Sequence, residues 1–220
     1  MRLLLRTTLI GALLLVGRTT VSAQSCQTMA GNLVANCSFE NGPPPSGPNY
    51  QFVATLPDWS VSGGQFERWS NGFNGFTSKD GVTHLELDSD LGNTSIWQFL
   101  NTTVGVRYDV SFWVAHRSLN GQVSQLDVLV GGTAPSNLWF TTPQLTDNSP
   151  TQYQWRNYTT SFTATQASTQ LVFRGAGPSN TYGDHIDNIS VVSTVPEPST
   201  YALMAAGLLG VFGAARRRKK

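Results

Sequence analysis

Charge is scarce in this chain: only 12% of its 220 residues are Asp, Glu, Lys or Arg. Cysteine is scarcer, with Cys26 and Cys37 alone, so no CxxC pair or Cys/His cluster exists and a thiolate zinc site is excluded. Helix formers are sparse outside the two termini, which argues against a helix-containing sheet. No nucleophile elbow, H-E-x-x-H helix or Gly-rich phosphate loop is written anywhere, so no motif of an enzyme is assembled. His84, His116 and His185 stand singly, a pattern commoner for packed or surface histidines than for a catalytic group. There is no internal repeat.

What is present is turn chemistry. The chain has 21 Gly and 11 Pro, with many Thr, Ser and Asn, as short strands joined by many turns require. Trimmed at both ends, it is the right length for one all-β domain over 24–194.

The ends themselves read as addresses. Residues 1–23 form a secretory signal: Arg2 and Arg6 are the charged start, Leu9 to Val16 the apolar run, and Val21-Ser-Ala23 precedes a cut before Gln24. That run is too short to span a bilayer. Residues 195–220 hold Pro196-Glu197-Pro198, an apolar stretch from Tyr201 to Ala215, and the basic cluster Arg216 to Lys220. The prolines keep the first part extended and accessible, and the basic cluster holds the C-terminus on the cytoplasmic side.

Trimming also changes the charge. Of 14 Lys and Arg, three lie in the leader and five in the tail, leaving six; of 13 Asp and Glu only Glu197 lies outside, leaving twelve. The exported domain is therefore near −6, which excludes nucleic acid as a partner class and suits neutral sugars or divalent cations. In an oxidising compartment Cys26 and Cys37 are placed to pair and tether the mature N-terminus to the first strand; two free thiols are the alternative.

About ten strand-like segments follow one another from Asn32–Asn41 to Gly183–Val192. The clearest is Val82–Asp88, where Leu85 and Leu87 face one way and His84, Glu86 and Asp88 the other. In Arg107–Arg117, Tyr108, Val110, Phe112 and Val114 make a core face, with Trp113 and Arg117 opposite. Asn71–Phe76 reads as a loop with exposed aromatics. The predicted architecture is an antiparallel β-sandwich, flanked by a signal helix and a short apolar C-terminal helix.

Two resemblances sharpen these readings. The tail, with its Pro-Glu-Pro, apolar helix and basic cluster in order, resembles the PEP-CTERM sorting signal. That implies processing near Pro196-Glu197-Pro198 by an exosortase, a membrane cysteine transpeptidase, after transient anchoring through the C-terminal helix. The start N-x-S-F-E and the end I-D-N-I-S-V bracket a domain resembling jelly rolls of the galactose-binding-like, carbohydrate-binding-module type. "Y-D-V-S-F-W-x-A-x-R" and "W-x-x-Y-T-x-S-F-x-A" fall between them in the order found in exported PEP-CTERM jelly rolls. Cys37 departs from that pattern, which usually carries Gly there.

The resemblance implies a structural Ca2+ with Glu40 and Asp187 as its side-chain ligands, stitching the first segment to the last. Such an ion takes six to eight oxygens, so loop carbonyls would complete it. The polar face offers Glu67, Trp69, His84, Glu86, Asp88, Trp113 and Arg117 as a glycan-binding set, an aromatic ring for sugar C–H faces beside groups that bond hydroxyls. The expected function is an exported, non-catalytic, carbohydrate-binding-like module, with a polysaccharide of an extracellular matrix as partner. A structural or adhesion protein without a sugar pocket is the alternative. A glycoside hydrolase using Glu86 and Asp88 as acid and base ranks third.

Overall fold

The computed structural model describes residues 24–42, 45–89, 92–117, 123–144, 154–194 and 203–209. The leader 1–23, the processing residues Pro196, Glu197 and Pro198, and the basic cluster lie outside them.

The described strands are β1 (Tyr50–Val53), β2 (Ser60–Val61), β3 (Phe66–Ser70), β4 (Thr83–Glu86), β5 (Asp88–Ser89), β6 (Gly92–Asn93), β7 (Ser95–Asn101), β8 (Arg107–His116), β9 (Leu126–Val130), β10 (Leu138–Thr141), β11 (Trp155–Thr163), β12 (Ser168–Gly175) and β13 (Asp184–Ser193). They form a six-stranded sheet in the order β1-β3-β4-β13-β8-β11, a five-stranded sheet in the order β10-β9-β12-β7-β2, and the small hairpin β5-β6. Every pairing between neighbours is antiparallel. The two large sheets make the predicted sandwich.

Period-two alternation builds the core. On β8, Tyr108, Val110, Phe112 and Val114 are buried, while Arg107 and Asp109 are exposed. Phe112 meets Phe173 of β12 across the interlayer, edge to face at 5.2 Å. Leu85, Leu87, Ile96, Leu100, Leu171 and Val128 fill in around them. Truncating such a central phenylalanine costs about 3–5 kcal/mol.

The last strand breaks strict alternation, and the break is useful. Ile186 and Ile189 are three apart, so an even strand would send them to opposite faces. Instead the pairing with β8 shifts register between Asp187 and Ser190, at Asn188, whose φ is +49°. The bulge returns Ile189 and Val191 to the core. The freed Asn188 side chain then accepts from Cys26 N–H at 2.8 Å and donates to Gln24 O.

The segment 32–41, expected as the first strand, is a series of turns. Its backbone twists through left-handed conformations at Asn36 and Phe39, which a ladder cannot accommodate. It still lies against the final strand, as Leu33 N–H donates to Val191 O and Ile189 N–H to Cys37 O. Phe39, with φ +61°, turns its carbonyl to the buried guanidinium of Arg68, 2.6 Å away. Burial pulls that guanidinium's pKa down, against the neighbouring Glu40. The disulfide Cys26–Cys37 is formed and staples the N-terminal turn to this segment.

Residues 203–209 are helical. Among the described residues no helix is long and apolar enough to cross a membrane.

Candidate ligand face

The polar residues that the alternation singled out share the outer face of the six-stranded sheet. In register, Glu67 lies opposite Glu86 and Trp69 opposite His84; Glu86 lies opposite His185, and Asp187 opposite Trp113. Arg117 follows β8, and Asp88 follows Leu87 beyond β4. The seven predicted ligand residues are thus gathered into one region. The open face expected for them is not found.

That face is covered. Residues 71–82, between β3 and β4, fold back across it, and the aromatics expected to be exposed turn inward. Phe76, 1% exposed, lies 4.5 Å from the His185 ring and 4.7 Å from His84. Phe73 meets Trp69 edge-on at 4.6 Å. Trp155 of β11 closes the far side, and its indole N–H donates to Thr77 O at 2.7 Å. Beneath this flap Trp69 is 1% and His84 0% exposed, and Glu67, Glu86 and His185 are buried as well; Asp88 is buried under the loop around Asn180. Apolar rings over a polar face explain the difference, because they remove it from water.

The carboxylates hold the covering loops by their backbone. Asp187 Oδ2 accepts from Lys79 N–H at 2.8 Å and Asp80 N–H at 2.9 Å, and its Oδ1 from Asn188 N–H. Glu40 Oε1 accepts from Val82 N–H, Thr83 N–H and the Thr83 hydroxyl. The two residues expected to share a cation therefore grip one turn from both sides. Gly81 lets them close: a Cβ there would fall 2.4 Å from the Glu40 carboxyl. Asp88 Oδ2 accepts from Asn180 N–H, and Glu86 Oε1 from Gly183 N–H at 2.8 Å. A Cβ on Gly183 would meet the Asp88 backbone at 2.3 Å.

Electrostatics agree with this structural use. Burial pushes Asp187 well above the usual carboxylate range, while its three amide donors pull it back. Burial and the Glu67 carboxylate together push Glu86 well up, opposed by Arg117. Burial holds His84 at about 3 and His185 well below the ordinary histidine value, so both rings are neutral. His84 Nδ1 shares a hydrogen with Ser78 Oγ at 2.9 Å, and its Nε2 has no partner among the described residues.

Arg117 is the polar group of this cluster that reaches the rim. Its Nη1 bonds both Glu86 oxygens, at 2.9 and 3.0 Å, and Thr181 O at 3.1 Å. The guanidinium lies between the Trp69 ring at 5.0 Å and the Tyr182 ring at 4.7 Å, with 16% of the side chain exposed. Trp113, half-buried, carries the Lys79 ammonium 3.9 Å above its ring. Tyr182, His185 and Trp155 were not singled out as site residues. Tyr182 lies in a loop without periodicity, but the alternation that placed Glu86 also puts His185 beside it.

For a metal, the fit is poor in the described residues. No group of three or more His, Cys, Asp or Glu is gathered there, and the bonded oxygens of Glu40 and Asp187 face N–H and O–H donors rather than other oxygens. For catalysis, Glu67 and Glu86 adjoin beneath the flap. Glu67 Oε1 accepts from Trp69 Nε1 at 3.0 Å, and Glu86 is held by Arg117.

Two twisted antiparallel sheets around one apolar layer, with loops clamped over one outer face, define a β-sandwich of the jelly-roll class. The chain belongs to the family described as "Protein of unknown function (DUF642)", which matches residues 32–192. Residues 194–219 match the PEP-CTERM protein-sorting motif, the mark of an exported protein that an exosortase processes. No curated protein matches the chain. Among solved structures it is similar to the arabinose-bound MgGH51 α-L-arabinofuranosidase, at 11% identity and a TM-score of 0.50 over 76% of this chain. It spans 27% of that enzyme's chain, and the likeness is one of fold. It also matches TmCBM61 in complex with β-1,4-galactotriose, at 16% identity and a TM-score of 0.49, over 74% of this chain and 98% of that one. The CBM35 from Paenibacillus barcinonensis matches at 16% identity and a TM-score of 0.42, over 66% and 99% of the two chains.

Proposed function

We propose that this is an exported, non-catalytic carbohydrate-binding protein that works in an exopolysaccharide matrix. The observation that carries the reading is Arg117 at the rim. It is a charged donor held rigid by a bidentate carboxylate and two aromatic rings, and it is partly open to solvent beside Tyr182. Preorganised in this way, it loses little freedom when it bonds a pair of sugar hydroxyls. Tyr182 would take the C–H face of the same ring. The buried carboxylates serve as loop clamps, which leaves the catalytic reading without an accessible acid and base.

Affinity electrophoresis of the exported protein through gels of soluble polysaccharides tests this. Tyr182→Ala should cut retention about tenfold, as expected for one lost stacking contact, with the melting temperature nearly unchanged. Retention equal to wild type on every polysaccharide would remove the rim as the binding surface. A second reading, a structural matrix protein with no sugar site, draws on the flap that seals most of the predicted set. It is favoured if wild type is retained by no polysaccharide. Before processing near Pro196-Glu197-Pro198, the C-terminal apolar stretch would anchor the chain in the membrane. An intact Lys220 on the exported protein, read by mass spectrometry, would count against that step.

A further inference from the structure

The other sheet carries a second surface that resembles a binding groove more closely than the covered face does. It lies where β10 and β11, the edge strands of the two sheets, come together. Trp139 joins them by donating its indole N–H to Ser161 O at 2.7 Å, yet leaves 49% of itself exposed. From there a shallow cleft runs between the β9–β10 turn at Gly131 and the chain between β11 and β12, towards Phe99 on the outer face of β7. Phe99 is 66% exposed, and Gln170 is its register partner on β12.

The chemistry of this cleft is uniform. Its two exposed rings are interspersed with hydroxyls and amides from Thr163, Thr165, Gln166 and Gln170. None of those four side chains hydrogen-bonds another described residue, so all are available to a ligand. Among the described residues no Asp, Glu, Lys, Arg or His lines it. An anionic chain would meet no counter-charge here and a domain near −6 around it, and a cationic one would find no carboxylate.

We propose that this groove is a second, independent site for a neutral polysaccharide. Aromatic rings stack on the C–H faces of its sugars, and the neighbouring side chains bond its hydroxyls. The proposal rests on the carbohydrate-binding reading but not on the Arg117 rim.

The test uses the exported protein in affinity gels cast with mixed-linkage glucan, galactan or xylan, and with polygalacturonate as the anionic comparison. Retention by at least one neutral polymer should be the same at low and high salt, since no ion pair forms. Phe99→Ala should weaken it about tenfold, and Trp139→Ala similarly, for at least one polymer whose retention Tyr182→Ala leaves unchanged. Phe99 is mostly exposed, so its truncation leaves the fold intact, which the melting temperature checks. Retention lost in Tyr182→Ala but unchanged in Phe99→Ala overturns the groove and keeps the rim. Retention by polygalacturonate alone, abolished by salt, also overturns it. Failure of every polymer to retain wild type overturns both readings. A wild-type dimer that Phe99→Ala converts to monomer would assign the groove to a second copy of the chain and overturn the glycan site.

Discussion

The outer faces of the two sheets solve opposite problems with similar raw material. On the six-stranded sheet, Glu67, His84, Glu86, His185 and Asp187 stand over the core, and the flap 71–82 removes them from water. On the five-stranded sheet, Phe99 and the adjoining Trp139 stay open to it. The polar face is therefore sealed and the aromatic one exposed, the reverse of what side-chain polarity suggests. The reason lies in the backbone. A loop crossing a sheet face must satisfy its own N–H groups, and Asp187 and Glu40 meet four of them in the turn 79–83. A carboxylate on the six-stranded sheet and one from the segment 32–41 make a cover possible there.

The comparison breaks most sharply at Asp187. Asp187→Ala strands two part-buried loop amides and the buried bulge amide of Asn188, so a loss of about 4 kcal/mol in urea unfolding is expected, with the flap opening first. A loss below about 1 kcal/mol would mean that the flap is held by its aromatic rings and not by the clamp. Glu40→Gln keeps an acceptor and should cost less, and it also tests the calcium ion that the resemblance implies. A melting-temperature rise with millimolar Ca2+ that Glu40→Gln abolishes would support an ion at this seam. No response after chelation would remove it.

Acid should separate the faces next, because His84 and His185 lie buried on one of them only. His84 has its folded pKa depressed to about 3, from 6.5 when unfolded. It therefore contributes stability that is present above pH 6.5 and lost as the pH falls towards 3. The raised values of Glu86 and Asp187 act in the opposite sense, with stability fully present below their unfolded values and lost as the pH rises. The histidine share is isolated by difference. Between pH 7 and pH 4, wild type should lose on the order of 3 kcal/mol more than His84→Phe. Equal losses would place water against the His84 ring and the flap open in solution.

Much of this was legible in the residues, and the limits of that reading are physical. Alternation in Val82–Asp88 and Arg107–Arg117 places the core side chains correctly, because one face of each strand must be apolar. The same alternation gathers His84, Glu86, Trp113 and Arg117 on the opposite side. It says nothing about what lies above that side, since Phe73 and Phe76 sit in a loop whose path is set by distant amide acceptors. Nor does it show Asn32–Asn41 as turns: Val34, Cys37 and Phe39 are apolar at irregular spacing, and the positive φ at Asn36 and Phe39 leaves no compositional trace. The Cys26–Cys37 pair is legible from export alone. Phe99 reads as an ordinary strand aromatic and Trp139 as part of a polar loop, because exposure of a single ring has no pattern along the chain.

The smallest expected effect bears on Trp113, an aromatic on the outer face of the six-stranded sheet. Trp113 is half-buried, with Lys79 Nζ 3.9 Å above its ring, so the surface that would stack on a sugar is already in use. Such a cation–π contact at a partly exposed position contributes about 0.5–1 kcal/mol. Lys79→Ala should cost no more than that in melting, because the Lys79 amide still donates to Asp187 whatever the side chain. It also bares the Trp113 ring. If the covered face has any residual part in glycan binding, Lys79→Ala should strengthen retention, and Trp113→Ala in that background should reverse the gain. Retention unchanged in both variants would confine binding to the Tyr182 rim and the Phe99 groove. A loss of several kcal/mol in Lys79→Ala would instead show that the ammonium, and not the clamp beneath it, keeps the flap closed.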